Sequence, residues 1–398
     1  MSEQPVAPSE LTMWSKPPAD EARKLNDDEI NAKYGKRELR IVTESNREQL
    51  PNFVEALKRK DWMELRPFYQ RRPRWDPVRQ SRLIESFIMN IPVPPLFVYE
   101  SDLAKYEVMD GQQRITAIRD FYTNRLELQG LDQWPELNGR IYEKLPTEIR
   151  KGIDRRSISY IVLLKESTVT SEDEALLRQQ VFERLNTGGV KLSKQEIRNS
   201  IYHGAFNDLL LELAQNSDFR STWGLYPFTK EEQVNPPSEL LMNPMYAKMN
   251  DAEIILRFFA LRHAEHYQRG MAGFLNLYSV RARKFSEPDI QVLRALFTET
   301  ITLVHQVYGD LLFRTWDAEK GAWSAKPQVA FADAVMVEFS RHLAQATELA
   351  SRADIIIELT KQLFVKNPAG TFTGQRNTKS DVQDRIRLFG EMLQAALG

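Results

Sequence analysis

The chain has 398 residues, of which 42% are hydrophobic and 27% are charged, a balance typical of globular proteins. Its formal net charge of −1 means that any nucleic-acid binding has to come from a local basic surface, not from the charge of the whole molecule. The absence of cysteine excludes disulfides, thiol nucleophiles and thiolate zinc sites, and it fits a reducing compartment.

The sequence carries no signal for a membrane or for export. The longest apolar runs, at 158–164 and 252–261, are far shorter than the roughly 20 residues that a membrane-spanning helix needs. The first ten residues contain prolines and glutamates where a secretory signal needs a basic start and a continuous apolar stretch. We therefore expect a cytoplasmic protein without a membrane partner. The length favours two folded parts, since domains usually have about 100–200 residues.

The first 28 residues are rich in Pro, Ser and Glu, which predicts a flexible N-terminal arm with Trp14 as its only large anchor. A short strand at 38–43 and a helix at 47–59 are predicted next, from their apolar spacing. They begin an α/β domain that we expect to span residues 29–210.

A loop at 65–75 follows, in which prolines oppose regular helix and arginines alternate with aromatic residues. Asp76 and Pro77 are typical of a helix start, and the apolar spacing predicts a helix that ends near residue 90. Strands are predicted at 96–99 and 106–109.

At Asp110 and Gly111 the second of these strands stops, and helical spacing begins again over 112–122. Further along, we predict a strand at 158–164 and a helix at 173–185. Ser193 and Glu196 have the spacing of a capping box that opens another helix.

Residues 211–398 are predicted to form a mainly α-helical domain. Its clearest helical segments are 252–267, 289–308, 331–349 and 355–365, with loops at 236–237 and 322–327. The predicted fold class is therefore α+β, with an α/β domain followed by a helical one.

The corner from strand to helix at Asp110-Gly111 combines features that suit a phosphate and a divalent cation. A helix N-terminus offers unpaired N–H groups, Asp110 adds a carboxylate, and Gly111 lets the backbone approach a ligand closely. Arg114 can bind a phosphate through two hydrogen bonds. The alternative is an ordinary capped helix with a surface ion pair, and the local chemistry alone does not separate the two.

Several segments occur together in the order typical of the DUF262 family. They are Gln70-Arg71 through Trp75, Leu83-Ile-Glu-Ser86, Ile91-Pro-Val-Pro-Pro95, Val108-Met-Asp-Gly-Gln-Gln-Arg-Ile-Thr116, Val181-Phe-Glu-Arg-Leu-Asn-Thr-Gly-Gly189 and Leu192-Ser-Lys-Gln-Glu-Ile-Arg-Asn199. They cover about residues 60–210. The chain resembles the N-terminal part of GmrSD-type, modification-dependent restriction proteins within this family.

The resemblance implies a ParB/sulfiredoxin-like α/β fold and a nucleotide-dependent protein of DNA restriction and anti-phage defence. The expected activity is nucleoside triphosphate hydrolysis that controls restriction. By this resemblance the catalytic residues are Asp110, Gln112, Gln113 and Arg114. Phosphate-binding residues are Arg71, Arg74, Gly111, Arg114 and Asn186. Asp110 and Glu196 would hold Mg²⁺ or Mn²⁺, although Glu196 also fits a simple capping role.

Two other functions stay open at this point. In the first, the chain is a ParB-like, metal-dependent DNA nuclease. In the second, it is a nucleotide- or DNA-binding sensor without turnover, because a site that binds phosphate need not cleave it. The histidines after residue 207 lie in helical patterns, which disfavours a self-contained HNH nuclease. The expected partners are DNA and a nucleotide, together with a separate nuclease subunit or a second copy of the chain.

Overall fold

The computed structural model describes residues 6–14, 26–35, 43–59, 62–64, 75–164, 179–184, 193–202, 204–233, 236–367 and 370–398. The chain divides into two compact units. The first, the sheet unit, comprises Ala22–Leu192. The second, the helical unit, comprises Met1–Glu21 together with Ser193–Gly398.

Most of the described residues are helical. In chain order the helices are α1 (Glu10–Met13), α2 (Asp27–Gly35), α3 (Leu50–Ala56), α4 (Pro77–Ile88), α5 (Gln112–Tyr122), α6 (Thr147–Asp154), α7 (Lys194–Ile201), α8 (Ala205–Leu213), α9 (Ser217–Thr222), α10 (Ser238–Met242), α11 (Pro244–Ala247), α12 (Asn250–Leu261), α13 (Gly270–Ala282), α14 (Glu287–Tyr308), α15 (Val329–Arg341), α16 (Ala346–Ser351), α17 (Ala353–Lys366) and α18 (Lys379–Leu397). The strands are β1 (Thr43–Gln49), β2 (Met63–Glu64), β3 (Leu96–Asp102), β4 (Lys105–Asp110), β5 (Ser157–Leu163), β6 (Trp316–Asp317) and β7 (Ala322–Trp323).

The sheet unit contains a mixed five-stranded sheet in the order β1-β5-β3-β4-β2. β3 pairs with β5 in parallel and with β4 in antiparallel orientation, while β1 pairs antiparallel with β5 and β2 parallel with β4. Buried side chains of the central strands, such as Leu96, Val98 and Val162, share one core with helices α3, α4 and α5. Asp110 is the last residue of β4, which lies between the middle strand β3 and the edge strand β2.

Helices α4 and α5 form because their sequences combine a start signal with an apolar face. The Asp76 carboxylate accepts the N–H of Arg79 at 2.7 Å and caps α4, whose first residue is a proline. Ile115, Ile118 and Phe121 of α5 are fully buried in the core. Both helices, and strands β3 and β4, are confirmed where the sequence predicts them.

The N-terminal edge of the sheet differs from the prediction. Residues 47–49, predicted as helix, belong to β1, and α3 begins only at Leu50. The strand is polar and its side chains are exposed or half-buried, so no alternation of apolar residues marks it. Backbone pairing with β5 forms it instead. Most of the strand predicted at 38–43 and most of the helix predicted at 173–185 lie outside the described residues.

Two long helices predicted in the C-terminal half are shorter than expected. The helix predicted at 252–267 ends at Leu261, and the one predicted at 331–349 is divided into α15 and α16. Short 3-10 turns at 264–266 and 343–345 follow these helices, and the apolar spacing continues through them because Ala264 is buried and Leu343 packs, partly buried, against the same core. The loop predicted at 322–327 contains β7, which pairs with β6. None of the described helices combines the length and apolar character needed to cross a bilayer.

The N-terminal segment 6–14 is packed into the helical unit, whereas the sequence predicts a flexible arm there. Glu10 is 1% exposed, and its carboxylate accepts hydrogen bonds from Arg262 at 3.2 Å and from Tyr278 at 2.7 Å. His263 Nε2 lies 2.9 Å from the same carboxylate. Trp14 stacks on His266 with ring centroids 4.7 Å apart. A buried charge with this many partners fixes the segment in place.

The units also divide the chain at a different point from the predicted boundary near residue 210. The reason lies in α7, whose Arg198 is 1% exposed and reaches other helices of the helical unit. Its guanidinium donates to Glu253 at 2.7 Å and to Asn276 at 2.7 Å. These contacts attach α7 to the helical unit, so the unit starts at residue 193.

Candidate phosphate site at the end of strand β4

Gly111 makes the turn between β4 and α5. Its φ of 103° lies in the region that favours glycine, and a Cβ at this position would lie 2.3 Å from Cδ2 of the buried Leu96. Only glycine fits there without a shift of the buried Leu96 side chain. The turn places Asp110 and the first residues of α5 next to each other.

The N-cap residue of α5 is Gly111, which has no side chain with which to cap the helix. The first intrahelical hydrogen bond runs from the N–H of Ile115 to the carbonyl of Gly111 at 2.9 Å. The N–H groups of the preceding first-turn residues have no partner further back in the helix, and the helix dipole adds positive charge at this end. An anion is the ligand that suits such a terminus.

Asp110 and Arg114 form an ion pair across the turn, with Arg114 Nη2 at 2.5 Å from Asp110 Oδ2. The arginine side chain is 12% exposed and the aspartate side chain is 36% exposed, so the pair lies at the surface with its cationic half mostly covered. Among the described residues, the other carboxylate oxygen of Asp110 has no hydrogen-bond partner. The corner thus brings together a carboxylate, a guanidinium and the α5 N-terminus, and the ion pair itself is also what the alternative of an ordinary helix start predicts.

The structure gives Gln113 a partner that the sequence did not reveal. Its side-chain Oε1 accepts the backbone N–H of Trp75 at 3.1 Å. The carbonyl of Trp75 in turn accepts the side-chain amide of Gln80 at 2.7 Å. Gln113 therefore ties α5 to the residue that precedes α4. Gln112, the other predicted glutamine, is half-buried at the start of α5.

Three predicted phosphate-binding residues, Arg71, Arg74 and Asn186, lie outside the described residues. Glu196 belongs to the helical unit, whereas Asp110 belongs to the sheet unit. The predicted capping box is confirmed: Glu196 Oε2 accepts the N–H of Ser193 at 2.5 Å, and Ser193 Oγ accepts the N–H of Glu196 at 3.2 Å. The capping role of Glu196 is thus present, and its role as a metal ligand stays a prediction.

The described residues contain no group of three or more acidic or histidine side chains placed to hold a metal ion. Mg²⁺ that accompanies a nucleotide usually takes only one or two protein carboxylates and completes its shell with phosphate oxygens and water. The half-exposed carboxylate of Asp110 fits this mode of binding, since one of its oxygens is engaged by Arg114 and the other points to no described partner.

Glu85 is a further buried residue of the sheet unit with a defined structural role. It is 5% exposed, and its carboxylate accepts the N–H groups of Gln133 at 2.8 Å and Trp134 at 2.9 Å. These bonds attach the 132–134 turn to α4. The only signal for Glu85 in the sequence is its place in the Leu83–Ser86 segment, which says nothing about its partners.

A comparison with protein families finds a match over the region that contains the Asp110–Arg114 corner. Residues 22–203 match the family model of the GmrSD restriction endonuclease, N-terminal domain, which spans slightly less than half of the chain. The match includes the whole sheet unit and helix α7. No curated protein matches the chain. The predicted DUF262-type resemblance is confirmed over residues 22–203, which are similar to the N-terminal domain of GmrSD restriction endonucleases.

Proposed function

We propose that this chain is a nucleotide-dependent protein of DNA restriction and anti-phage defence, which binds and hydrolyses a nucleoside triphosphate at the Asp110–Arg114 corner. The observation that carries the proposal is the glycine turn that brings the N-terminus of α5 next to the Asp110–Arg114 ion pair. A family named for a restriction endonuclease supports the link to DNA. Phosphoryl transfer needs mainly positioning and charge stabilisation, and this corner offers both.

Each side chain has a distinct part in this proposal. The first-turn N–H groups of α5 bind phosphate oxygens. Arg114 neutralises the negative charge that develops on the phosphates as water attacks the terminal phosphate and the nucleoside diphosphate leaves. Asp110 holds the Mg²⁺ or Mn²⁺ that accompanies the nucleotide, and this ion supplies further charge neutralisation. Gln112 orients the attacking water in this proposal. Arg71, Arg74 and Asn186 are proposed as additional phosphate contacts.

The proposed partners are DNA and a nuclease subunit or a second copy of the chain. In this scheme, nucleotide hydrolysis in the sheet unit controls restriction, and the helical unit docks the partner. Cleavage by the chain itself, through a ParB-like metal site, is the alternative that the endonuclease family name favours.

Phosphate release tests the proposal. Purified full-length protein is incubated with Mg²⁺ and each of the four ribonucleoside triphosphates, with and without linear DNA. We expect release with at least one nucleotide and a loss of about 100-fold or more in Asp110→Asn. Asp132→Asn is the matched control, because it breaks an exposed Arg82–Asp132 pair in the same unit and should keep wild-type activity.

The result has a clear meaning in each case. No release with any nucleotide, or equal release by Asp110→Asn, would contradict hydrolysis at this corner. Nucleotide binding without release would favour the sensor function instead. Cleavage of the linear DNA without a second protein would favour the nuclease.

A further inference from the structure

Trp75 is held at a fixed place beside the corner. Its backbone N–H donates to Gln113 Oε1 at 3.1 Å, and its carbonyl accepts from Gln80 at 2.7 Å. Gln113 is in the first turn of α5, and Gln80 is in the first turn of α4. Because both of its backbone groups are engaged, Trp75 cannot move away from α4 and α5 without breaking these two hydrogen bonds.

The indole of Trp75 is half-buried, and Arg79 lies over it with the guanidinium carbon 4.9 Å from the ring centroid. Arg79 is exposed, and in the part of the chain that the structure describes it has no carboxylate partner. Arg82, one turn further along α4, pairs with Asp132 at 3.2 Å. Among the described residues, the partner of the Arg79 cation is thus the aromatic ring of Trp75.

Next to the proposed phosphate site lies an aromatic ring with a guanidinium stacked on it. Such a pair is suited to bind a nucleobase. Bases stack on tryptophan without regard to their hydrogen-bonding edges, and arginine adds a cation–π contribution. In a nucleoside triphosphate only the ribose separates the base from the phosphate chain. A ligand with its phosphates at the α5 N-terminus could therefore place its base beside Trp75, which Gln113 links to the first turn of α5.

We propose that Trp75 and Arg79 bind the base of the nucleotide whose phosphates occupy the Asp110–Arg114 corner, and that Gln113 is a positioning residue that holds Trp75 in place. This inference rests on the proposed function and makes it more specific. It assigns Gln113 to base recognition through Trp75, in place of the direct catalytic role that the motif suggests. Stacking on one ring predicts that different bases bind with similar affinity.

Equilibrium binding tests the inference with two kinds of probe. The β,γ-imido analogues of the four nucleoside triphosphates contain a base, whereas inorganic tripolyphosphate contains only phosphate. In the full-length protein with Mg²⁺, Trp75→Ala should lower the affinity for the analogues about 10-fold or more. Its affinity for tripolyphosphate should stay within about twofold of wild type, since no phosphate contact is lost. Trp75→Phe should keep most of the affinity for the analogues.

Two further variants keep the test valid if Trp75→Ala folds poorly, since Trp75 also packs against the core. Arg79→Ala should weaken binding of the analogues about threefold and leave tripolyphosphate binding unchanged, whereas Arg82→Ala should change neither. Gln113→Leu, which cannot accept the Trp75 N–H, should also lower only the affinity for the analogues. A residue with a purely structural role would lower binding of both probes together.

The outcomes separate this inference from the proposed function. If wild-type protein binds both probes, and Trp75→Ala or Arg79→Ala binds the analogues as tightly as wild type or loses both probes equally, the inference is overturned. If wild-type protein binds neither probe, the proposed function fails and the inference fails with it. A selective loss of the analogues supports both.

Discussion

Gly111 is the residue on which the geometry of the corner most depends. Its φ of 103° is unfavourable for any other residue, and an added Cβ would meet Leu96 at 2.3 Å. We expect Gly111→Ala to lower the free energy of unfolding by about 1–3 kcal/mol and to abolish phosphate release, because alanine is strained at this φ and displaces the buried Leu96 side chain. Urea unfolding and the phosphate-release assay measure the two effects.

Gly152→Ala is the matched control. Gly152 lies in helix α6, where an added Cβ meets nothing within 4 Å, so alanine should stabilise the helix by about 0.5–1 kcal/mol. Equal stability of Gly111→Ala and wild type would show that the turn tolerates a side chain, which would contradict the need for glycine at this corner.

At the scale of single residues, the sequence predicts which side chains meet when they are close along the chain. Asp110 and Arg114 are four residues apart on either side of a turn, and their ion pair follows from that spacing. The partner of Gln113 does not, because Trp75 is 38 residues away and is bound through its backbone. Nothing in the side-chain pattern marks a backbone N–H as a partner.

Among the elements, the docked N-terminal segment gives a prediction that depends on pH. Burial alone raises the pKa of Glu10, but hydrogen bonding to His263 and the charge of Arg262 outweigh it and lower the pKa to about 2. A carboxyl with a folded pKa below its unfolded value of 4.5 stabilises the fold above that value. This contribution, of about 3 kcal/mol, should be lost as the pH falls from 4.5 towards 2.

Glu10→Gln isolates this contribution, since it removes the charge and leaves Arg262 buried without it. At pH 7 the variant should be less stable than wild type by about 3–5 kcal/mol, and the difference should shrink as the pH falls below 4.5. Urea unfolding at pH 7, 4.5 and 3 measures the difference in the free energy of unfolding between the variant and wild type. Glu358→Gln, which removes an exposed partner of Lys361, serves as the control with little effect. A difference that is the same at all three pH values would contradict the assignment.

The elements that the sequence predicts well are those with both a start signal and an apolar face. Helix α4 has its Asp-Pro start, and α5 has the glycine corner and four fully buried apolar side chains. Strand β1 could not be predicted in the same way because its residues are polar and its pairing with β5 depends on a segment more than a hundred residues away. The buried role of Glu10 was missed for a similar reason, since its partners lie some 250 residues further along.

For the whole molecule, the order of the units along the chain matters. The chain starts in the helical unit, passes through the sheet unit and returns to the helical unit at residue 193. The family match at 22–203 follows the sheet unit closely, but it also takes in α7, which packs with the helical unit. A C-terminal fragment that starts near residue 210 would lack Arg198, which binds Glu253, and would also lack Glu10, which binds Arg262. Composition shifts along the sequence could not show this, because they do not reveal that residues 6–14 and α7 pack with the same unit.

The central claim is that the corner between β4 and α5 is the nucleotide site, and a crystal structure of the full chain with a β,γ-imido nucleotide and Mn²⁺ tests it most directly. We predict phosphate oxygens within about 3 Å of the first N–H groups of α5 and of the Arg114 guanidinium. The anomalous signal of Mn²⁺ should lie at the Asp110 carboxylate, with the base against Trp75. A nucleotide bound elsewhere, with the corner between Asp110 and Arg114 unchanged, would contradict the claim.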